Sequence, residues 1–348
     1  MSSVWKTIVL LLHGQLIATL NYCDHSVAIE YQTLGFRPNY TKESRFGRII
    51  SLEKNVKVIN IFNQNIPILC KSLFNVTKTA QALYIVKSKI REIEENIFKD
   101  QNITNIVVIT GNKIATIKTL TFGNLQITSL DLRENQIEVI EEKAFVKLFN
   151  LGDLRLTGNK LKRFNPLSYH QLPSLEILSL DGNKIEALEP ESLRFVQKDN
   201  FFMDLKRNRI FRLEGDFFGG FKRENLSLYL SRNFLEVLPD GVFNNHSFYN
   251  VFLQKNPLRN VTGKICTESC TITHLYLDKE CLQSCDKQFF DWIQTKGIIL
   301  NHFSNNVKVF RNCCRCKRIN LFLIIVIIII SMNFGRKKHV CNFCYVSK

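Results

Sequence analysis

The strongest feature of the sequence is a twelve-residue pattern of apolar and polar positions that recurs nine times. The pattern reads xLxLxxNxLxxL, and its copies start at residues 58, 82, 106, 129, 153, 177, 202, 227 and 250. The spacing between copies stays within 23 to 25 residues. A constant period of this length predicts a repeat protein in which each unit buries its apolar face against its neighbours.

Each copy predicts a short strand followed by a turn. Alternating apolar residues such as Leu154 and Leu156 bury one face of the strand. The asparagine that follows can satisfy backbone groups left bare by the turn. Gln64 and Ser88 take this position in the first two copies. Stacked repeats therefore predict one buried asparagine ladder, made of Asn112, Asn135, Asn159, Asn183, Asn208, Asn233 and Asn256.

These copies resemble the leucine-rich repeats, whose consensus is LxxLxLxxNxL, over residues 58 to about 260. The resemblance implies an α/β solenoid shaped as a horseshoe, with a parallel β-sheet on its concave face and a cap at each end. The period, with phenylalanine at one fixed place, is similar to the extracellular class, whose convex segments are mostly irregular. It implies an insect-like protein that is secreted or spans the membrane once. We interpret the phenylalanines as a core spine: Phe98, Phe122, Phe145 and Phe243.

The start of the chain indicates secretion. Lys6 precedes an apolar stretch, which predicts a signal peptide over residues 1–22, with a buried N-terminal helix as the alternative. Six N-glycosylation sequons favour passage through the endoplasmic reticulum. One of them, Asn39, lies in the N-terminal region before the repeats. The other five fall outside the predicted strands, so their glycans would cover the convex and lateral sides: Asn75, Asn102, Asn225, Asn245 and Asn260.

A cap is needed at each end of the solenoid because the terminal repeats expose their core. Residues 23–57 form the predicted N-terminal cap, with a capping strand over 46–52 and a possible disulfide between Cys23 and Cys70. The repeats occupy 58–260. A cysteine-containing cap follows over 261–312, in which residues 289–293 (FFDWI) predict a helix that covers the last repeat through Phe290 and Trp292 or Ile293. Four cysteines there predict disulfides with three pairings open, and a zinc site is the rival interpretation: Cys266, Cys270, Cys281 and Cys285.

Residues 319–334 (INLFLIIVIIIISMNF) are nearly all apolar. A helix of this length measures about 24 Å, which is short for a bilayer core of about 30 Å. Basic residues on both sides still suit a short span with snorkelling ends. We predict a juxtamembrane and transmembrane segment over 313–335 and a short basic cytoplasmic tail over 336–348; an interfacial segment or a strand-like tail are the alternatives. The repeats would then lie outside the cell, at its surface.

The predicted orientation of the membrane span sets the redox environment of the remaining cysteines. Three would be extracellular and could link two chains into a disulfide-linked dimer: Cys313, Cys314 and Cys316. Cys341 and Cys344 would be reduced and open to palmitoylation. A redox CxxC at the same pair is a weak rival, since it lacks the surrounding fold of a redox domain.

Charge and motifs exclude several functions. The formal charge is +16, but residues 311–348 alone carry eight Lys or Arg and no Asp or Glu. The remainder is only moderately basic and has no nucleic-acid motif, which argues against a nucleic-acid partner. No phosphate loop, dinucleotide motif, HExxH or GxSxG occurs, so we expect no enzyme, cofactor or metal.

The strand positions that point away from the core define the predicted binding face. Aromatic and Arg residues on such a surface dominate binding energy. For any single residue the alternative is an ordinary solvent-exposed position with no binding role. We predict a protein ligand or co-receptor in recognition, adhesion or innate immunity; a matrix protein binding anionic glycans and an inhibitor of an extracellular enzyme are alternatives. The predicted face comprises Phe62, Tyr84, Val86, Ile106, Val108, Asp131, Arg133, Asp153, Arg155, Asp181, Phe202, Asp204, Lys206, Tyr229 and Phe252.

Overall fold

The computed structural model describes residues 10–12, 15–22, 25–33, 56–71, 80–99, 103–214, 217, 223–259, 261–267, 270–285 and 287–301. One sheet of 14 strands extends from Leu10 to Asn301 through most of these regions. Its strands, in spatial order, are β1 (Leu10–Leu12), β2 (Gln15–Tyr22), β3 (His25–Thr33), β4 (Val56–Phe62), β6 (Ala82–Val86), β8 (Ile106–Thr110), β11 (Ser129–Asp131), β14 (Asp153–Arg155), β16 (Ile177–Ser179), β18 (Phe202–Asp204), β20 (Arg223–Tyr229), β21 (His246–Phe252), β22 (Thr271–Tyr276) and β23 (Ile299–Asn301).

The predicted solenoid is confirmed by the pairing of these strands. From β4 onward each strand pairs in parallel with the next, and equivalent repeat positions align, as Leu130, Leu154 and Leu178 do. Parallel neighbours one repeat apart require the chain to make a full turn between them. Nine of the strands fall on the nine repeat copies, so one copy of the pattern makes one turn of the solenoid.

The segments that return between strands are mostly irregular. Between β4 and β22 their regular structure in the described residues consists of two-residue strands, which pair with their counterparts in other turns in four small sheets, and of the 3-10 helices Pro166–Ser168 and Gly263–Ile265. Because the described part of this side carries no long helix, the curved sheet is the main regular surface of the repeats. The short strands are β5 (Ile68–Leu69), β7 (Glu92–Ile93), β9 (Thr116–Ile117), β10 (Phe122–Gly123), β12 (Val139–Ile140), β13 (Phe145–Val146), β15 (Tyr169–His170), β17 (Ala187–Leu188) and β19 (Arg212–Leu213).

The core is one continuous apolar cluster between the sheet and the returning segments. Leu154 and Leu156 are fully buried, as the alternating pattern requires. The phenylalanine spine crosses the middle of the array: Phe122 stacks on Phe98 at 5.3 Å and on Phe145 at 5.7 Å between ring centroids. Tyr169 continues the stack beyond Phe145 at 5.6 Å. Each turn is therefore joined to the next by strand pairing on one side and by ring packing inside.

The N-terminal end is covered by antiparallel strands rather than by another repeat. β3 pairs antiparallel with β4, and β2 pairs antiparallel with β3. The strands β1 and β2 belong to the stretch predicted as a signal peptide, and removal of that stretch stays a prediction. The predicted capping strand over 46–52 lies outside the described residues, as does Cys23.

The C-terminal cap extends the sheet, which the sequence did not predict. β22 pairs in parallel with β21, and β23 pairs in parallel with β22. Two helices connect them: α1 (Lys279–Ser284) and α2 (Lys287–Thr295). The helix predicted over 289–293 is confirmed, but Phe289 is its fully buried residue, while Phe290 and Trp292 pack only partly buried against the core.

Neither α1 nor α2, the helices in the described part of the chain, has the length and apolar content needed to cross a bilayer. The predicted span over 319–334 lies outside the described residues. Membrane anchoring therefore stays a prediction.

The residue before each ladder asparagine has a left-handed backbone. Gly182 has φ +68°, while Arg207 and Arg232 occupy the same place with φ of 51° and 61°. An added Cβ at Gly182 would meet nothing closer than 3.7 Å, so a substitution there would be resisted by the backbone conformation alone. The place therefore favours glycine without requiring it.

We expect Gly182→Val to lower the free energy of unfolding by about 1 to 2 kcal/mol, because a β-branched residue is strained at positive φ. Chemical denaturation measures the change. Gly152→Ala is the control, since Gly152 has no positive φ and its added Cβ would stay 3.8 Å from its neighbours. Equal losses in the two variants would contradict the backbone explanation.

Candidate binding surface

The side chains that point out of the sheet form rows along the concave face, because register alignment places equivalent positions side by side. One row contains Val108, Asp131, Arg155, Ser179, Asp204, Tyr229, Phe252 and Tyr276. A second row contains Ile106, Ser129, Asp153, Ile177, Phe202, Ser227, Asn250 and His274. All fifteen residues predicted for the binding face lie in described strands or in the turns directly after them.

The N-terminal third of this face is apolar. Phe62 is 41% exposed at the end of β4. The other predicted residues here are half-buried: Tyr84, Val86, Ile106 and Val108. This third offers apolar contact area, but the structure shows no ring stacking among its described residues that would fix their side chains.

The middle third is charged, and its acids and bases are paired. Asp131 accepts hydrogen bonds from the Arg133 guanidinium, with 2.6 Å between Oδ2 and Nη2, and Asp153 pairs with Arg155 at 2.6 Å. The Asp131 hydrogen bond raises the pKa of Arg133. Asp131 is only 5% exposed, and direct contact between its carboxylate and a partner stays a prediction. Its carboxylate orients Arg133, which is exposed.

The C-terminal third carries a ladder of stacked aromatic rings. Tyr229 stacks on Phe252 with 4.2 Å between centroids, and Phe252 stacks on Tyr276 with 3.8 Å. Phe202 packs against Tyr229 from the neighbouring row at 4.7 Å. We call these four residues the aromatic ladder. Each is half-buried, so the rings support one another and still present their edges to solvent.

Two charged side chains, Lys206 and Asp204, lie beside Tyr229 of the aromatic ladder. The ammonium of Lys206 lies 4.5 Å from the Tyr229 ring centroid, a distance at which a cation is attracted to the ring. Asp204 holds the same ammonium through a hydrogen bond of 3.2 Å. Burial raises the pKa of Tyr229, and the neighbouring Tyr276 and Asp204 raise it further. Tyr229 is therefore a neutral phenol at physiological pH.

Tyr276 was missed in the sequence because the asparagine that marks each repeat is absent from its turn. Residues 274–285 keep the alternating strand pattern at the 24-residue period, with Leu275 and Leu277 buried. Glu280 stands where the asparagine would be, and helix α1 begins there instead of the usual turn. The alternation alone was the available signal.

The asparagine ladder links successive turns by hydrogen bonds. Asn159 accepts from the Ile137 amide at 3.0 Å and donates to the carbonyls of Leu132 and Leu156 at 3.0 and 2.9 Å. The same pattern of contacts recurs at most of the other ladder positions: Asn112, Asn183, Asn208, Asn233 and Asn256.

Four positions of the ladder depart from the pattern in burial, contacts or residue type. Asn135 donates normally, but its Oδ1 has no partner among the described residues. Asn256 is half-buried rather than buried, where the repeats meet the C-terminal cap. Ser88 substitutes for asparagine because its hydroxyl donates to the Val86 carbonyl at 3.1 Å, while Gln64 donates to Phe62 across the same turn.

The cysteines of the C-terminal cap divide into two pairs of unlike chemistry. Cys266 and Cys270 form a disulfide. Cys281 and Cys285 carry thiols, and the Cys285 thiol donates to the Cys281 carbonyl at 3.3 Å. A hydrogen bond from Cys285 lowers the pKa of the Cys281 thiol.

Cys70, in the first repeat, is also disulfide-bonded. No metal-binding cluster of His, Cys, Asp or Glu occurs among the described residues.

Two sequons fall on described residues. Asn245 is exposed immediately before β21. Asn225 is also exposed but lies inside β20, so the prediction that the sequons avoid the strands is wrong at this position. The strand there is longer than predicted because a bulge precedes Ser227. The other four sequons lie outside the described residues: Asn39, Asn75, Asn102 and Asn260.

Comparison with known proteins finds the same repeats. The model of the leucine rich repeat family matches residues 126–185. The human protein "Leucine-rich repeats and immunoglobulin-like domains protein 3" is 27% identical over 156 residues, which are 44% of this chain and 14% of that protein. The rat "Leucine-rich repeat-containing G-protein coupled receptor 5" is 28% identical over 99 residues, or 28% of this chain and 11% of the receptor. The chain thus spans only a small part of either relative.

Two solved structures are similar over most of the chain. TLR13 in its complex with ssRNA13 has a TM-score of 0.43 and 15% identity over 70% of this chain and 43% of its own. The leucine-rich repeat domain of APL1 has a TM-score of 0.44 and 18% identity over 67% of this chain and 57% of its own. The family match, together with the parallel strands that recur once per sequence repeat, shows that the chain contains leucine-rich repeats.

Proposed function

We propose that the chain is an extracellular recognition protein, secreted or anchored at the cell surface, that binds a protein partner through its concave face. The observation that carries this proposal is the aromatic ladder on an open sheet. Three stacked rings and the Phe202 ring, which is tilted against Tyr229, lie half-exposed on neighbouring strands, where a soluble protein would ordinarily place polar side chains.

The ladder has the properties of a binding hot spot. Aromatic side chains dominate binding energy in protein interfaces. Stacking already restricts these rings, so a partner would immobilise little additional side-chain freedom. Arg133 and Arg155, in the charged middle third of the same face, are likewise pre-oriented by Asp131 and Asp153. A partner spanning both regions would find apolar and hydrogen-bonding groups already in position.

The relatives support a role at the cell surface. One of them is a receptor by its name, and both carry leucine-rich repeats as one part of a larger protein. We carry over only the general role, binding by the repeats. Secretion, the membrane span over 319–334 and the glycans belong to this proposal.

We expect Arg155→Ala with Tyr229→Ala to weaken partner binding at least about tenfold, because both truncations remove groups of the hot-spot type. The fragment 23–312 serves as bait for secreted and cell-surface proteins, followed by titration of the protein it captures. Both residues are half-buried on the sheet surface, so the melting temperature should change little.

The matched control is Phe149→Ala with Arg163→Ala. It removes one aromatic and one Arg side chain that are exposed outside the concave strands. The control should bind as the wild type does. Full binding by a folded Arg155 and Tyr229 double variant would contradict a concave site that includes them.

A further inference from the structure

One flank of the solenoid carries an apolar patch where the other repeats are mainly polar. The relevant positions are the first, third and fourth after the ladder asparagine, which we call the exit flank. In the repeats of Asn208 and Asn233 three of these six positions are apolar, Phe211, Phe234 and Val237, and the other three are charged: Arg209, Arg212 and Glu236. In the earlier repeats they are mostly charged or amide side chains, among them Lys113, Gln136, Glu138, Lys160, Arg163 and Glu186.

The three apolar side chains are strongly exposed and share one groove. Phe211 is 55% exposed, Phe234 57% and Val237 66%. They line an open groove of about 330 Å³ together with Leu213 and Pro239. Backbone hydrogen bonds hold both parts of the patch in place. The Phe211 amide donates to the Glu186 carbonyl at 3.0 Å, and the Phe234 amide donates to the Ile210 carbonyl at 2.8 Å. The patch is therefore a fixed feature of two successive turns.

Clustered exposed apolar side chains mark an interaction site more strongly than scattered ones do. The proposed function does not use this patch, because its positions follow the turn and lie outside the concave rows. We propose that the exit flank pairs with the exit flank of a second copy of this chain, around a twofold axis.

The patch is complementary to itself in shape and in charge. It combines protruding side chains, Phe234 and Val237, with a groove, so each copy can fill the groove of the other. Arg212 and Glu236 both line the groove. The Nε of Arg212 pairs with Glu214 of its own chain at 2.5 Å, and the other N–H groups of its guanidinium can meet Glu236 of the second copy. A twofold interface requires such a surface, on which the same residues serve both partners. The two described sequons, Asn225 and Asn245, lie before or within the strands and so outside this flank.

Photo-crosslinking of the full chain tests the pairing directly. The chain carries Phe234→p-benzoylphenylalanine and, to exclude covalent dimers, Cys313→Ser, Cys314→Ser and Cys316→Ser. We expect a product of twice the chain mass in which position 234 is joined to residues 211–239 of the other copy. A crosslink to a different protein, to another part of the second copy, or no crosslink would overturn the proposal.

The strength of pairing is measured as the dissociation constant between two differently tagged copies of the full chain, each purified in its glycosylated form. We expect Val237→Lys to raise the dissociation constant at least tenfold. Val139→Lys is the matched control, because Val139 has the same repeat position and is 51% exposed in a turn without the patch. Equal effects of the two variants would overturn the proposal.

Charge exchange separates pairing from folding. Arg212→Glu should weaken pairing, and adding Glu236→Arg in the same chain should restore it, since each copy again offers both charges. Failure of the second change to restore pairing in a folded chain would contradict the twofold arrangement.

Asn260 is a sequon at the repeat position that Val237 occupies one repeat earlier. Pairing that occurs only after glycan removal would also overturn the proposal.

Discussion

Phe145→Ala is expected to lower the free energy of unfolding by about 4 kcal/mol, because it opens a large cavity in a close-packed core. Phe145 is fully buried, and its ring packs between Phe122 at 5.7 Å and Tyr169 at 5.6 Å. The substitution therefore breaks the ring stack that joins three successive turns. Denaturant unfolding followed by circular dichroism measures the loss.

Phe149→Ala is the control for this prediction. Phe149 lies four positions further along and is 46% exposed, so its removal should change the free energy of unfolding by no more than about 0.5 kcal/mol. A loss at Phe145 as small as the loss at Phe149 would show that the phenylalanine spine does not join the turns.

Asn159→Leu is expected to destabilise the array by about 3 kcal/mol, since it leaves one buried amide and two buried carbonyls without their partner. Leucine has a similar size, so the loss reports hydrogen bonding more than volume. Thermal unfolding provides the measurement. Because the lost bonds connect neighbouring turns, the transition should also become broader as the array loses cooperativity.

Asn150→Leu offers a matched control for the ladder. The Asn150 side chain is exposed and donates to Gln126 at 3.2 Å, so its loss should have little effect. An unchanged melting curve for Asn159→Leu would refute the role of the ladder. Asn135 is expected to tolerate replacement better than Asn159, because its Oδ1 accepts no hydrogen bond from a described residue.

The sequence predicted the repeats well because each turn uses the same few interactions. Alternating leucines, the asparagine and the phenylalanine each have one physical role, and that role recurs at a fixed spacing. The nine predicted strands and their inward leucines therefore agree with the structure. The predicted helix at 289–293 also agrees, since its aromatic residues have a single face to bury.

Features that depend on a particular neighbour were harder to predict. Asp131 occupies an outward position, yet Arg133 covers it, and no pattern along one strand reveals that contact. Tyr276 joins the aromatic ladder only because the C-terminal cap continues the sheet, although its turn lacks the marker asparagine. The exit-flank patch becomes visible only when two successive turns are placed side by side.

The fold explains how the proposed binding surface on the sheet can differ from one repeat to the next. Parallel strands align equivalent residues in rows, so a change at one position of one repeat alters a single point of the row. The chain uses this freedom to present apolar, charged and aromatic thirds along one sheet. The core stays uniform while the surface differs from turn to turn, which suits recognition of an extended partner.

Hydroxyl-radical footprinting of the complex with the captured partner locates the bound surface, because it reports solvent access to individual side chains. We expect the partner to lower the oxidation of Tyr229, Phe252 and Tyr276, while Phe149 and Leu167, which are exposed outside the concave strands, stay equally reactive. Protection of Phe149 and Leu167 with unchanged oxidation of the aromatic ladder would rule out binding through the concave face.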